Sequence, residues 1–259
     1  MGGGQVKIRT MVILLMMAAI AYGQGEFASA GAATVPQGRW QIGVFQPLRY
    51  GWKSNAEVST HPLLFFVMPN AQIKWAHGKA GDFDWATCHS FYYPTMLLRA
   101  IAKEGIGGLI SPEFDIPQMI VFNNKVVVSR QNKSFRLSGW LGMGVAVRSD
   151  KLDERTTIDL PLIFPRLNVL YHSLSINSGL SAQGVLWHRW SLLGDMNWFD
   201  CPDGENDSAF EHKGLLIWNK SEHVQMCLGY KLCYGEYPFG AQWHLLAPLL
   251  DVQWAWGGK

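Results

Sequence analysis

The stretch "VQMCLGYKLCYG", residues 224–235, alternates with unusual regularity. Val224, Met226, Leu228, Tyr230, Leu232 and Tyr234 are large and apolar, whereas Gln225, Cys227, Gly229, Lys231, Cys233 and Gly235 are small or polar. A strand points successive side chains to opposite faces, so this run makes one greasy face and one mixed face. The fold turns on what the greasy face touches, a protein core or lipid.

The same alternation recurs along the chain. In "SFRLSGWLGMGVAVR", 134–148, Phe135, Leu137, Leu141, Met143, Val145 and Val147 share a face, opposite Ser134, Arg136, Ser138, Gly142, Gly144 and Arg148. Trp40, Ile42 and Val44 alternate with Arg39, Gln41 and Gly43, and Ala71, Ile73 and Trp75 with Gln72 and Lys74. Phe83, Trp85, Phe91 and Tyr93 oppose Asp82, Asp84, Cys88 and Ser90. Further strands are expected over 119–130, 155–164, 166–176, 183–199 and 209–219, and the last is "APLLDVQWAW", 247–256. The total is about twelve strands, with ten to fourteen compatible with the pattern. One segment breaks it. Residues 94–118 begin with helical spacing (Met96, Leu97, Ala100, Ile101) and end in Gly and Pro, which predicts a long loop carrying a short helix.

Composition separates lipid from core. Charged residues are 16% of the 259, below the ~25% of soluble domains, and there are twelve Trp. Low charge suits a wide apolar belt, and Trp and Tyr near strand ends suit the aromatic girdles of a membrane barrel. The mixed faces carry Lys74, Arg136, Arg148, Lys231 and Asp251, which a dry core rarely buries and a polar lumen accommodates. These five are the expected lumen-facing residues. Trp75, Tyr171, Tyr230, Tyr234, Trp254 and Trp256 are the expected lipid-facing or girdle residues. Three of them lie on a loose repeat, "PNAQIKWAHG" (69–78), "PRLNVLYHSL" (165–174) and "PLLDVQWAWG" (248–257), with Pro fitting a strand's first residue. The fold class is therefore all-β, an antiparallel transmembrane β-barrel.

At the N-terminus, Lys7 and Arg9 precede "MVILLMMAAIA", 11–21, and a small-residue exit. This predicts a secretory signal peptide over 1–30, with cleavage after Gly23 or Ala30. The eleven apolar residues 11–21 fall short of the ~20 needed to span a bilayer as a helix. A short N-terminal linker, 31–37, and one barrel domain, 38–257, complete the expected organisation.

"LRYGWKSNAEVST", 48–60, resembles the Tyr-Gly, polar turn, Glu-hydrophobic hairpin of Gram-negative outer-membrane β-barrel proteins, and "IWNKSEHVQM", 217–226, is a looser relative. The C-terminal "WAWGGK" is similar to the closing strand of such barrels, which usually finish on the aromatic itself. The resemblance is to a broad class. It implies a fold, residence in the bacterial outer membrane and assembly by the barrel assembly machinery, and it supplies no catalytic residues.

No cofactor is expected, since no Gly-rich phosphate loop, H-E-x-x-H or C-x-x-C site occurs. The net charge of +2 is spread without a basic stripe, which argues against nucleic acid. Cys88, Cys201, Cys227 and Cys233 read as thiols on mixed faces. The acidic loop "DCPDGENDS", 200–208, offers Asp203, Glu205 and Asp207 as Ca²⁺ ligands, but the spacing departs from the EF-hand, and a solvated loop is the expectation. Ser59, His61 and Glu57 share a parity, the one geometry that hints at a lipid hydrolase. An i, i+2 spacing along a strand leaves about 6.5–7 Å between side chains, so an enzyme is not the leading expectation. That expectation is a passive role: a small pore, a hydrophobe conduit or a structural envelope component, with outer-membrane lipids as partners. A soluble periplasmic or secreted β-barrel or sandwich that binds lipid or sugar is the alternative.

Overall fold

In the computed structural model, which describes residues 31–102, 110–132, 134–157, 162–202, 208–237 and 240–258, the opening stretch lies in a strand, β11 (Val224–Tyr237). Lys231 and Cys233 point inward and are buried, whereas Leu228 and Tyr230 are exposed on the outside. Around it stand β1 (Arg39–Gly43), β2 (Leu48–Lys53), β3 (Ala56–Thr60), β4 (Asn70–Ala80), β5 (Phe83–Tyr92), β6 (Met119–Gln131), β7 (Phe135–Arg148), β8 (Leu174–Trp187), β9 (Trp190–Asp200), β10 (Ala209–Asn219) and β12 (Gly240–Gly257). Neighbours in the chain are neighbours in the sheet, all antiparallel, and β1 pairs with β12 to close a twelve-stranded barrel. Closure leaves no unpaired edge, the condition for a sheet to cross hydrocarbon.

The two ends differ. At one, connections of two to four residues join β2–β3, β4–β5, β6–β7, β8–β9 and β10–β11. This is the turn end. At the other, the loop end, the connections are mostly long and carry α1 (Pro62–Phe65), α2 (Thr95–Ile101), a 3-10 turn (Glu154–Thr157), α3 (Phe164–Leu167) and α4 (Val169–His172). The wall is also uneven. Strands β1–β3 are five or six residues long, and β6–β12 run from eleven to eighteen.

The outer face is apolar all round. Leu137, Leu141, Leu180, Leu192, Leu228 and Leu250 are each about half exposed, an area no soluble monomer leaves bare. Aromatics gather at both rims. Toward the turn end, Trp190 stacks on Trp218 with ring centroids 5.9 Å apart, and Trp40 on Trp256 at 6.4 Å. Toward the loop end, Trp198 meets Phe210 at 5.1 Å and Tyr234 meets Trp243 at 4.8 Å. An apolar belt between two aromatic girdles is the surface of a membrane-spanning β-barrel of the outer-membrane kind. The greasy face touches lipid.

Several expectations need correction. The described residues of 155–164, namely 155–157 and 162–164, and the first part of 166–176 do not form strands: Pro165 sits in the opening turn of α3, where its missing N–H costs nothing, and β8 begins only at Leu174. Tyr171 accordingly lies in α4, buried beneath the loop end rather than in a girdle. The run 183–199 is two strands, broken by a turn at His188 and Arg189. Pro248 lies within β12 instead of opening it, opposite the register shift between Gly229 and Lys231, where the ladder needs no N–H from it. The signal peptide falls outside the described residues, as do the acidic-loop positions Asp203, Glu205 and Asp207.

Candidate functional site: the lumen and its two closures

Inward-facing strand positions put charged and amide side chains inside the barrel, and the described chain then fills the space between them. At the turn end, residues 31–37 run across the lumen as a strap. The Ala32 N–H donates to Ser129 Oγ on β6 at 3.0 Å, and the Val35 N–H donates to Glu57 Oε2 on β3 at 2.7 Å. Lys74 on β4 donates from Nζ to the carbonyls of Gly31 and Ala33, the second at 2.7 Å. Val35 is fully buried. A Cβ on Gly51 would collide with the Pro36 carbonyl, so β2 needs glycine where the strap crosses it. The strap's strongest acceptor is itself held: Arg49 Nη2 donates to Glu57 Oε1 at 2.6 Å.

The loop end is closed by a second hydrophobic core. Leu64 from α1, Leu98 and Ile101 from α2, Leu167 from α3 and Leu170 from α4 pack onto wall residues Met119 and Val121. This cap is also pinned by charge. Arg166 on α3 makes a fork to Glu211 on β10, Nε to Oε1 at 3.0 Å and Nη2 to Oε2 at 2.7 Å. Lys231 donates to Glu211 Oε1 at 2.8 Å and to the Leu162 carbonyl at 3.0 Å. A planar guanidinium meeting a carboxylate through two bonds fixes direction as well as distance. Arg148 on β7 reaches the carbonyls of Leu170, at 2.7 Å, and Tyr171.

Between the closures, Lys213 meets Asp195 at 3.0 Å. Asp251 accepts from the Phe45 N–H at 3.1 Å and from Gln253 Nε2 at 2.7 Å. These groups and the cap's ion cluster border a polar space of about 30 Å³, room for roughly two waters. Among the described residues, charges of both signs border it, Arg166 and Lys231 paired with Glu211 and Lys213 with Asp195.

The five residues expected in the lumen have different surroundings. Lys74 holds the strap, Arg148 and Lys231 hold the cap, and Asp251 ties the β1–β2 connection to β12. Arg136 lies at the turn-end rim, where its Nε donates to Gln131 Oε1 at 3.0 Å. On the outside, Tyr230, Trp254 and Trp256 are exposed, while Trp75 and Tyr234 are partly covered by ring or cation neighbours. Ser59, His61 and Glu57 do not form a catalytic set. All three are buried inside the wall, Glu57 is committed to Arg49 and Val35, and His61 Nε2 contacts the Phe45 carbonyl at 3.3 Å.

Sequence reasoning passed over Glu211, Arg166, Asp195 and Lys213. Glu211 and Lys213 have inward parity in "AFEHKGLLIW" and were legible as lumen residues; Arg166 was hidden by its assignment to a strand. The four cysteines are buried thiols. Among the described residues no cluster of His, Cys, Asp and Glu is arranged to hold a metal ion.

No protein-family model matches the sequence, and no curated protein is significantly similar to it. Among solved structures, the barrel is similar to outer-membrane-expressed OmpT of Vibrio cholerae, with a TM-score of 0.44 at 5% identity over 82% of this chain and 65% of that one. It is similar to a bacterial polysaccharide outer-membrane secretin, with a TM-score of 0.43 at 8% identity over 85% and 70%. A third likeness is to OccK11 of Pseudomonas aeruginosa, with a TM-score of 0.39 at 10% identity over 88% and 61%. The chain thus spans about two thirds of the length of the barrels it matches.

Proposed function

We propose that the protein is a closed barrel of the bacterial outer membrane, a structural component of the envelope that does not act as an open diffusion pore. One observation carries this reading: the polar lumen is crossed by the strap at one end and sealed by an apolar core at the other. A porin keeps a water-filled channel through its lumen. Here each buried charge described in the lumen has a partner in the wall, the strap or the cap, and the described polar space between the closures measures about 30 Å³. The aromatic girdles and apolar belt support insertion among outer-membrane lipids, and the barrel assembly machinery is the natural route of insertion. The short turns would then face the periplasm and the capped end the exterior.

The test is swelling of liposomes carrying the refolded protein, beside liposomes carrying a general porin. The protein should migrate as a heat-modifiable membrane barrel and yet admit neither arabinose nor smaller polyols above the rate of empty vesicles. Swelling at a porin-like rate would overturn the reading. Recovery of the protein from cells as a detergent-free soluble species would overturn its membrane placement as well.

A further inference from the structure

The outer wall is not uniform. Where β1–β3 are short, α1 juts outward with Phe66 82% exposed, and between it and the wall lies a crevice of about 790 Å³. Its sides are Leu48, Tyr50, Phe65, Ile73, Phe91 and Phe122. The same crevice is lined by two polar side chains that face lipid, His89 on β5 and Asn124 on β6. They are cross-strand partners, with His89 Nδ1 2.7 Å from Asn124 Oδ1. An amide oxygen can only accept, so Nδ1 carries the proton and Nε2 is left as a bare acceptor. Neither Nε2 of His89 nor Nδ2 of Asn124 has a protein partner among the described residues.

A polar pair on a hydrocarbon-facing wall is costly, and an ionisable residue there is the mark of a site. The other lipid-facing histidine of the upper belt shows the contrast. His212 is satisfied on both nitrogens, by the Asp195 carbonyl at 2.7 Å and the Tyr230 hydroxyl at 2.9 Å. His89 is satisfied on one. The pair lies two residues below Phe91 and Phe122 along their strands, a step of about 6.6 Å, so it sits just under the loop-end aromatics. A phosphate headgroup stays above that level; a single chain ending in a small polar group reaches it.

We propose that this crevice binds a long-chain fatty acid in its neutral form. The acid's O–H donates to His89 Nε2, and its chain lies against Ile73, Phe91 and Phe65. A protonated carboxyl supplies the hydrogen-bond donor that the bare Nε2 lacks. An alkane or a methyl ester lacks the donor. The site lies on the outer wall and goes beyond the closed-barrel reading, because it does not require the lumen to be shut.

The test is displacement of cis-parinaric acid by palmitic acid on the purified full-length barrel in detergent micelles, read by fluorescence. The native protein should bind palmitic acid saturably and about three- to tenfold more tightly than methyl palmitate. H89L should erase most of that preference, about a three- to tenfold loss for one neutral hydrogen bond, while keeping the native heat shift. I73W, which fills the crevice from its apolar side, should abolish binding of both ligands. Equal affinity for acid and ester, unchanged palmitic acid binding in H89L, or binding that never saturates would each overturn the proposal. Binding that survives in a protein found to swell liposomes would uphold this site and refute only the closed lumen.

Discussion

The two ends of the lumen are closed by opposite kinds of chemistry. At the turn end a single extended strap is held by hydrogen bonds to Ser129, Glu57 and Lys74. At the loop end four short helices bury leucine and isoleucine against the wall and are pinned by the Arg166–Glu211–Lys231 cluster. A hydrogen bond contributes about 0.5–1.5 kcal/mol net, whereas a fully buried leucine contributes several times that. On those magnitudes the loop end contributes more to the stability of the barrel than the strap does. A barrel wall exposes its apolar residues to lipid, so its true hydrophobic core is the cap.

This contrast can be broken in graded steps, with unfolding in urea from phospholipid vesicles as the common measurement. Glu211→Gln leaves Arg166 and Lys231 buried together without their carboxylate and should cost about 3–5 kcal/mol; a loss under 1 kcal/mol would mean that the cluster does not hold the cap. Leu170→Ala empties the centre of the cap, where the side chain has no exposure, and should cost about 2–5 kcal/mol. Leu180→Arg on the lipid face of β8 should cost about 2–4 kcal/mol, whereas the same change on a water-facing wall would be nearly neutral. Ser129→Ala removes one strap bond and should cost about 1 kcal/mol. If Ser129→Ala matched Leu170→Ala, the strap would be as integral as the cap, and the comparison would fail.

The barrel itself was legible because a strand writes its two faces into alternate residues, and the long strands β7, β11 and β12 do so over many repeats. The cap was legible only in part: the spacing of Met96, Leu97, Ala100 and Ile101 announced α2, but α1, α3 and α4 are single turns. Four residues such as "FPRL" or "VLYH" are too short to display a 3.6-residue period, and they sit where "PRLNVLYHSL" can be read as a strand of the same repeat. Tyr171 was misplaced for that reason. Lys74, Lys231 and Asp251 could be read as inward from parity alone, but their partners could not, since Gly31, Leu162 and Phe45 offer backbone groups that carry no side-chain signal. The His89–Asn124 pair escaped notice because it is made across strands, 35 residues apart in sequence.

Single-channel recording in planar bilayers tests the central claim most directly, using the native barrel and a variant lacking residues 31–37. Both should be silent, because removing the strap leaves the apolar cap in place. Stable stepwise conductance through the native protein would contradict the closed lumen, and conductance appearing only on removal of the strap would show that the cap does not seal.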